Sequence, residues 1–561
     1  MTMPTKREKG QALPMVTLSL IAMCGMMGLA VDLGWSYFVK RAAQSAADAA
    51  AQAAVQQALD KVGQNGTFDC SGTQITCQAV GQCNSSGNLT TACLYAQQHG
   101  FTVGGNNGHQ NVTIAADVTS PVPTAPGVAN VDYWVTVRAS ESIPQLFSAV
   151  LGNTIGTSAA RATAAVLYTP LPEQIYALDR ENDAAPGSKK GGTGNDISIQ
   201  GGGGIVAYGA VGLASTKPLA GQLGGAGSVT APATYIRGTG GYGNSGNWTS
   251  APTSGMPDGD LFMDPMQGKG QPPAPTGLVD HPVPGGFVPA NAVLTSGNYF
   301  SVNGNGVPDG KPLTFGSNAT FKDGSFGNFV VFGGIQGNVT FGPGRYIFAG
   351  SANGTTLNWN SAMVKDQTPL DATGNVTAPN DAGEILVLTD PNYPGLQVPA
   401  ALRNAPQVLN SLAQGNVQIQ SGNAAQWGVD LHGLNPSDPA VPADLKPFAP
   451  TVMWQDQANT AIKYNSDGSI DTSCGSLDSP CLNSALKNSN STYWTIDARP
   501  NVQLWGAMYQ PRGAGIAFQG HGTLTSPVQL VTGYISMQGG PTIVFQKVPN
   551  GLRRRVTALI E

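Results

Sequence analysis

Phe329-Val-Val-Phe-Gly-Gly-Ile-Gln-Gly-Asn-Val-Thr-Phe-Gly-Pro-Gly-Arg-Tyr-Ile-Phe348 packs three strand-length apolar pieces into one short run, each cut off by Gly, Asn or Pro. Such pieces suit pleated, half-buried backbone, and the residues between them supply turns. The same texture begins near Gly191, with Asp196-Ile-Ser-Ile-Gln200, Gly204-Ile-Val-Ala-Tyr208 and Ala233-Thr-Tyr-Ile-Arg237. A Pro- and Gly-rich interruption covers Ala251–Pro289. The pattern resumes with Asn298-Tyr-Phe-Ser-Val302 and returns late in the chain with Gly515-Ile-Ala-Phe518, Val528-Gln-Leu-Val531 and Thr542-Ile-Val-Phe545. Helix signals between the pieces are scarce, which argues against alternating strands and helices. Two architectures remain. In a parallel β-helix each short strand stacks on the one a coil earlier, and inward Val, Ile and Phe make a continuous core. The alternative is an antiparallel β-sandwich. We read the β-helix. Asn404–Gln455 is less regular and reads as a large loop between rungs, with a short helix at Ala405–Ala413.

Composition agrees with short strands. Of 561 residues only 11% are charged and 74 are Gly, while 41% are hydrophobic, enough for a core. Net charge is −5 and no basic stripe crosses the body, so nucleic acid is not an expected partner. The basic clusters are Lys6, Arg7 and Lys9 at the start, Lys189–Lys190, and Arg553–Arg555, which reads as a solvated tail.

Gly10–Val31 carries no charge, and Ala12–Val31 has the length of a membrane-crossing helix. Basic residues before it predict a cytoplasmic N-terminus and export of the remainder. A cleaved secretory signal is the alternative, but the apolar run is long for one. Trp35, Tyr37 and Phe38 suit the membrane interface. Arg41–Lys61 is rich in Ala and Gln, with no Pro or Gly before Gly63, so the helix continues far beyond the span. Its Ala face can pack on its own domain or on copies of itself. Downstream, Asn111-Val-Thr-Ile-Ala-Ala-Asp-Val-Thr119 and Asp132-Tyr-Trp-Val-Thr-Val-Arg138 alternate as antiparallel strands do. Cys70, Cys77, Cys83 and Cys93 form a close group before them, and Cys474 and Cys481 a late pair. Downstream of a membrane segment these read as disulfides, because no C-x-x-C or histidine ladder supports zinc.

Glu8-Lys-Gly-Gln-Ala-Leu13, Gly28-Leu-Ala-Val-Asp-Leu-Gly34 and Ala43-Gln-Ser-Ala-Ala-Asp-Ala-Ala50 together resemble the N-terminal signature of TadE/TadG-like Flp pilus-assembly proteins. Val135–Arg138, Ile143-Pro-Gln-Leu-Phe147, Leu151-Gly152 and Thr157-Ser-Ala-Ala-Arg-Ala162 resemble that family's closing strands. The resemblance covers about Met1–Val166. Gly342-Pro-Gly344 and its flanks are similar to rungs of β-helical extensions on some members. Two departures stand out. Met15 lies where processed pilins often carry Glu, five residues after Gly10, and no Asp-x-Ser-x-Ser motif of a von Willebrand A domain occurs. The implied plan is a cytoplasmic stretch 1–11, a transmembrane helix 12–31, a pilin-like α+β module 32–170, a linker 171–190 and a Gly/Asn-rich β body 191–561.

Catalytic patterns are not found. His99, His109, His281, His432 and His521 are scattered, and neither H-E-x-x-H nor G-x-S-x-G occurs. Gly191-Gly-Thr-Gly-Asn-Asp196 is one partial copy of a calcium repeat that needs several, and Gly201–Gly204 lacks the Lys of a phosphate loop. Asp258, Asp260 and Asp264 read as a solvated loop. We therefore expect no catalytic, cofactor or metal site. The expected role is a membrane-anchored, exported structural protein, either a Tad/Flp-type pilus-assembly component or a minor pilin-like protein. It would sit in the bacterial inner membrane with its body in the periplasm or outside the cell, and its partners would be Tad/Flp components or its own copies. The rival readings are an envelope-tethered carbohydrate-binding or carbohydrate-active β-helix, and a self-assembling surface or filament subunit.

Overall fold

The computed structural model describes residues 12–561 except 64–65, 84–85, 120, 129, 153, 172, 179–195, 216–218, 240, 244–245, 257–261, 263, 267–268, 353, 367–381, 413–414, 421–427, 457–492, 511–514 and 549–550. The protein is mainly β, with one long N-terminal helix and a large parallel sheet. It divides into two compact units: Met1–Thr169 with Arg553–Glu561, and Pro170–Leu552.

In the first unit, α1 (Ala12–Val62) runs for 51 residues, about 75 Å at 1.5 Å per residue. Its second half is amphipathic in an unusual way, because small residues form the buried stripe. Ala43, Ala46, Ala47, Ala50, Ala51, Ala54, Val55, Ala58, Leu59 and Val62 are buried, at the spacing of one helix face. Ala costs no rotamer entropy on burial and lets a sheet approach closely. That sheet has the order Gln78–Gln82, Gln110–Asp117, Val131–Pro144, Ile155–Pro170 and Arg553–Leu559. The first four strands pair antiparallel. Val112, Ile114, Tyr133, Val135, Val137, Ala162 and Ala164 share one core with the helix face. A second helix, α2 (Leu89–Gln98), adds Leu89, Ala92 and Ala96 to it. The linking segment is closed by two local disulfides, Cys70–Cys77 and Cys83–Cys93. By loop entropy each is worth about 2–3 kcal/mol. Cys474 and Cys481 lie outside the described residues.

The fifth strand corrects the sequence reading. Arg553–Arg555 is not a solvated tail: the segment is the edge strand of this sheet, tied in by Thr163 N–H to the Glu561 carbonyl (3.0 Å) and Ile560 N–H to the Thr163 carbonyl (2.8 Å). Arg555 is the reason it stays. Its Nε donates to Asp132 Oδ2 at 2.5 Å, and its Nη1 donates to the carbonyls of Gly63 (3.1 Å) and Gly66 (2.7 Å) just past the end of α1. The guanidinium also lies 4.8 Å from the centroid of the Phe68 ring. A cation suits a helix C-terminus, where the last carbonyls lack partners.

The second unit is built from parallel ladders. One ladder runs, neighbour by neighbour, through Asp280–Pro284, Gly297–Val302, Gly327–Phe332, Gly344–Ala349, Glu384–Thr389, Thr451–Gln455, the end of Val502–Tyr509, Val528–Thr532, Glu173–Ala177, Ala210–Leu213 and Thr234–Ile236. A second runs through Leu313–Phe321, Ile335–Phe341, Thr355–Asn358, Asn416–Ile419, Tyr493–Asp497, Gly515–Gln519, Tyr534–Met537, Ile197–Ile199, Leu219–Leu223 and Gly241–Tyr242. The remaining strands pair in the same sense, for example Thr523–Ser526, Thr542–Phe545, Gly204–Ala207 and Ser228–Thr230. Parallel pairing rules out the antiparallel sandwich. Register stacks like on like: Phe321 lies over Phe341 with ring centroids 5.7 Å apart, Phe329 over Tyr346 at 4.9 Å, and Trp454 over Tyr509 at 4.0 Å.

Ladder order differs from chain order. The late strand Val528–Thr532 pairs with the early strand Glu173–Ala177. Leu171 N–H also donates to the Leu552 carbonyl (2.9 Å). Glu173–Ala177 is therefore a ladder strand and not linker; residues 179–190 of the expected linker lie outside the described residues. From Thr234–Ile236, at one end of the stack, the chain must reach Asp280–Pro284 at the other. That is ten inter-strand steps, or about 48 Å. The described residues of 251–279 make this crossing as a strap, and the rest of the Pro- and Gly-rich interruption supplies the ladder strands Asp280–Pro284 and Phe287–Val288. Met256 N–H donates to the Ile236 carbonyl (3.2 Å), Asp264 Oδ2 accepts from Tyr509 (2.6 Å), the Pro273 carbonyl accepts from Arg345 (2.7 Å) and the Val279 carbonyl accepts from Asn298 N–H (2.8 Å). Proline leaves no N–H to satisfy and favours extended backbone, which suits a surface crossing. Asn404–Gln455 is also corrected. It contributes ladder strands Asn416–Ile419, Gly428–His432 and Thr451–Gln455 beside a short helix, Pro406–Ser411; Ala413 lies outside the described residues.

Arg555→Ala should destabilise the first unit by about 2–3 kcal/mol, since it removes charge-assisted bonds and leaves half-buried Asp132 unpaired. Arg555→Lys should recover only part of that, because Lys cannot reproduce the fork. Denaturant unfolding of both variants reads this. Phe321→Ala should cost the second unit about 3–5 kcal/mol, the usual range for a buried aromatic, in the same assay.

Candidate anchoring and assembly site

The two halves of α1 differ in what covers them. From Met15 to Phe38 the apolar side chains are bare: Leu18, Ile21, Met26, Leu29, Leu33 and Trp35 are all more than half exposed. From Val39 onward the helix lies on its sheet. Among the described residues this is the one helix long and apolar enough to cross a membrane. The Ala face, open to a bundling role on sequence, is occupied by the protein's own sheet. The exposed remainder of the helix is the surface left for lipid or another subunit. A shallow groove along α1, lined by Arg41, Gln44, Ser45, Asp48, Ala49, Gln52 and Leu559, is a second exposed strip.

The junction between the halves is fixed by Asp32. Although it sits on the helix just past the apolar run, its side chain is buried. Its carboxylate accepts the backbone N–H groups of Leu146 (3.1 Å), Phe147 (3.1 Å) and Ser148 (2.8 Å) and the Ser148 hydroxyl (2.9 Å). These donors lie at the start of the short 3-10 turn Ser148–Leu151, in the hairpin joining Val131–Pro144 to Ile155–Pro170. One turn before Asp32 on α1, Gly28 faces the Phe147 ring so closely that a methyl there would overlap it. One turn later, the Ser36 carbonyl accepts from Ser158 Oγ (2.9 Å). Sequence reasoning missed this role. Asp32 reads as the end of the span, and nothing local points to donors more than a hundred residues away.

In the second unit the notable titratable group is a cluster of side chains. His432 Nδ1 lies 2.7 Å from Asp366 Oδ2 and its Nε2 lies 3.6 Å from Asp430 Oδ1, while its backbone N–H donates to Glu384 Oε1 (2.9 Å). His432, Asp366 and Glu384 are buried. The Trp505 ring meets His432 edge-on with centroids 6.5 Å apart. Asp430 and His432 share the strand Gly428–His432, and Asp430 faces Lys365 on one neighbouring strand and Gln503 on the other. The cluster ties neighbouring ladder strands together. Burial pushes the Asp430 carboxyl up to about 6; Asp366 adds to this, and His432 and Lys365 oppose it.

The other sequence candidates do not converge. His99 approaches Ser45 (3.3 Å) in the first unit, while His281 stacks on Tyr299 (4.8 Å between centroids) in the second. Asp264 belongs to the strap and not to a solvated loop; Asp258 and Asp260 lie outside the described residues. Asp196 is buried and accepts from Ser215 N–H (2.8 Å) inside the stack. Cys24, the free cysteine among the described residues, is exposed on the apolar half of α1.

With this geometry in place, comparison with known proteins is informative at one end of the chain. Residues 10–57 match the family model described as Flp pilus-assembly TadE/G-like. The matched stretch includes the bare apolar half of α1, the Asp32 junction and most of the Ala face. No curated protein and no solved structure matches the chain.

A carboxyl with a raised folded pKa keeps its proton where the unfolded chain has lost it. Its contribution to stability is therefore greatest at low pH and declines as pH rises from about 4 towards 6. Asp430→Asn should remove this component: relative to wild type, the variant should gain stability between pH 4 and pH 7, as read by denaturant unfolding of the second unit.

Proposed function

We propose that this chain is a membrane-anchored structural protein of the bacterial envelope that takes part in Tad/Flp-type pilus assembly as an assembly component or minor pilin-like subunit. The observation that carries this reading is the coincidence of the family match over 10–57 with a helix whose first half leaves its large apolar side chains bare and whose second half is covered by its own sheet. The basic start of the chain supports a cytoplasmic N-terminus, which sends the two folded units to the periplasm or beyond. The local disulfides fit that oxidising side.

We further infer that the parallel ladders close around one core as a parallel β-helix. Chain order supports this: Glu173–Ala177, Ile197–Ile199 and Gly204–Ala207 fall on three different ladders before Ala210–Leu213 returns to the first. Such a body offers a stiff display or contact surface, and we read it as non-catalytic. Partners would be other Tad/Flp components or copies of this chain, meeting it through the exposed strip of α1.

The test is a null strain of the source bacterium scored for Flp-type pili by electron microscopy. Pili should be lost or strongly reduced, restored by the full chain, and not restored by a chain lacking residues 12–31. Unchanged piliation in the null strain would sink the proposal.

A further inference from the structure

Gly28, Asp32 and Ser36 are four residues apart and lie on one face of α1. Each holds a successive part of the same hairpin: Phe147 against Gly28, the 146–148 amides on Asp32, and Ser158 on Ser36. The hairpin therefore runs along the helix towards the N-terminus for two turns, about 12 Å. Its tip passes the last residue of the apolar span, Val31, and reaches the level of Gly28, inside it. The tip is dressed for that position. Residues 142–160 carry no charge. Leu146 is 72% exposed, Ile155 58% and Phe147 45%, a level of apolar exposure unlike the same sheet's buried face. The single charge in the layer, Asp32, has its carboxylate surrounded by four donors in place of water.

We propose that the 144–155 hairpin is a second membrane contact, its Leu146, Phe147 and Ile155 side chains seated in the acyl region of the leaflet from which α1 emerges. The occupant is lipid because the exposed apolar tip is continuous with the bare apolar helix at the same depth. Asp32 is then a positioning residue: it replaces the water that its own charge and the hairpin amides would otherwise need at the membrane surface. Two contacts on one rigid helix face would restrict how the first unit tilts over the bilayer, which a lone helical tether would not. The proposal rests on α1 being a membrane span.

The experiment keeps the two claims apart. The full chain, in a Cys24→Ser/Cys474→Ser/Cys481→Ser background, carries an environment-sensitive nitrobenzoxadiazole label at Leu146→Cys, at Met26→Cys or at Val80→Cys, and is reconstituted into phosphatidylcholine vesicles with or without doxyl-labelled lipid. All three positions are exposed, so labelling leaves the core intact. Labels at 26 and 146 should both be quenched by the doxyl lipid and the label at 80 should not. Adding Gly28→Ala should reduce quenching at 146 and leave 26 unchanged. Quenching at 26 with a label at 146 that behaves like the one at 80 would overturn the hairpin contact alone. Absence of quenching at 26 would overturn the membrane span, and the hairpin contact with it.

Discussion

Everything in this architecture follows from one pairing: the last strand of the chain, Arg553–Leu559, completes the sheet that covers α1. A sheet whose fifth strand comes from the far end of the sequence turns the intervening residues, 170–552, into a closed excursion. Both ends of that excursion must lie together, and the Leu171–Leu552 backbone hydrogen bond shows that they do. A ladder whose first and last strands meet cannot be laid down in chain order. The chain adds strands from Glu173–Ala177 to Thr234–Ile236, crosses to the opposite end, and adds strands back until Val528–Thr532 pairs with Glu173–Ala177. The strap is a necessity of that topology. Its Pro-rich composition follows from the need to cross a finished surface without leaving backbone donors unpaired.

The same logic explains why the ladder strands tolerate irregular spacing along the chain. A segment contributes to the ladder only through its strand positions, where backbone hydrogen bonds and stacked side chains meet the neighbouring strand. What happens between strands is free as long as the chain returns in register. Glu384–Thr389 and Thr451–Gln455 are neighbours in the ladder although about sixty residues separate them, and the described part of that interval holds the short helices Ala400–Arg403 and Pro406–Ser411 and the ladder strands Asn416–Ile419 and Gly428–His432. The cluster of His432, Asp366, Asp430 and Glu384 lies among such excursions, where polar side chains bridge neighbouring strands.

These facts also set what the sequence could disclose. The β character was legible because it is local: Phe329–Phe332, Asn338–Phe341 and Arg345–Phe348 each carry their own strand signal. The long helix was legible for the same reason, as an uncharged run followed by Ala without Pro or Gly. Pairing was not, because partners are not neighbours in the sequence and some, such as Ile175 and Leu530, lie hundreds of positions apart. Arg553-Arg-Arg555 looks like a solvated tail in isolation; only Asp132, the Gly63 and Gly66 carbonyls and Phe68 make a strand of it. Glu173–Ala177 sits in charged, Pro-bearing sequence, and only its pairing with Val528–Thr532 and Ala210–Leu213 makes it a ladder strand. At the anchoring site the apolar run and its aromatic flank were readable, whereas the hairpin that docks on them was not.

Asp32 connects these levels. A carboxylate at the end of an apolar helix is costly unless it is solvated or fully donated to, and here the donors are amides delivered by a hairpin from the middle of the sheet. Those amides are in place only when the sheet has folded, and the sheet is complete only when the C-terminal strand has returned. The environment of one residue at the edge of the apolar helix thus reports on the folding of the entire module. From Ser36 to Val62 the helix contains neither Gly nor Pro. The glycine between Asp32 and that stretch, Gly34, is flanked by two residues that the sheet's hairpin holds, Asp32 through the amides of residues 146–148 and Ser36 through the Ser158 hydroxyl. The junction is therefore braced from the sheet on either side of the residue with the weakest helix preference.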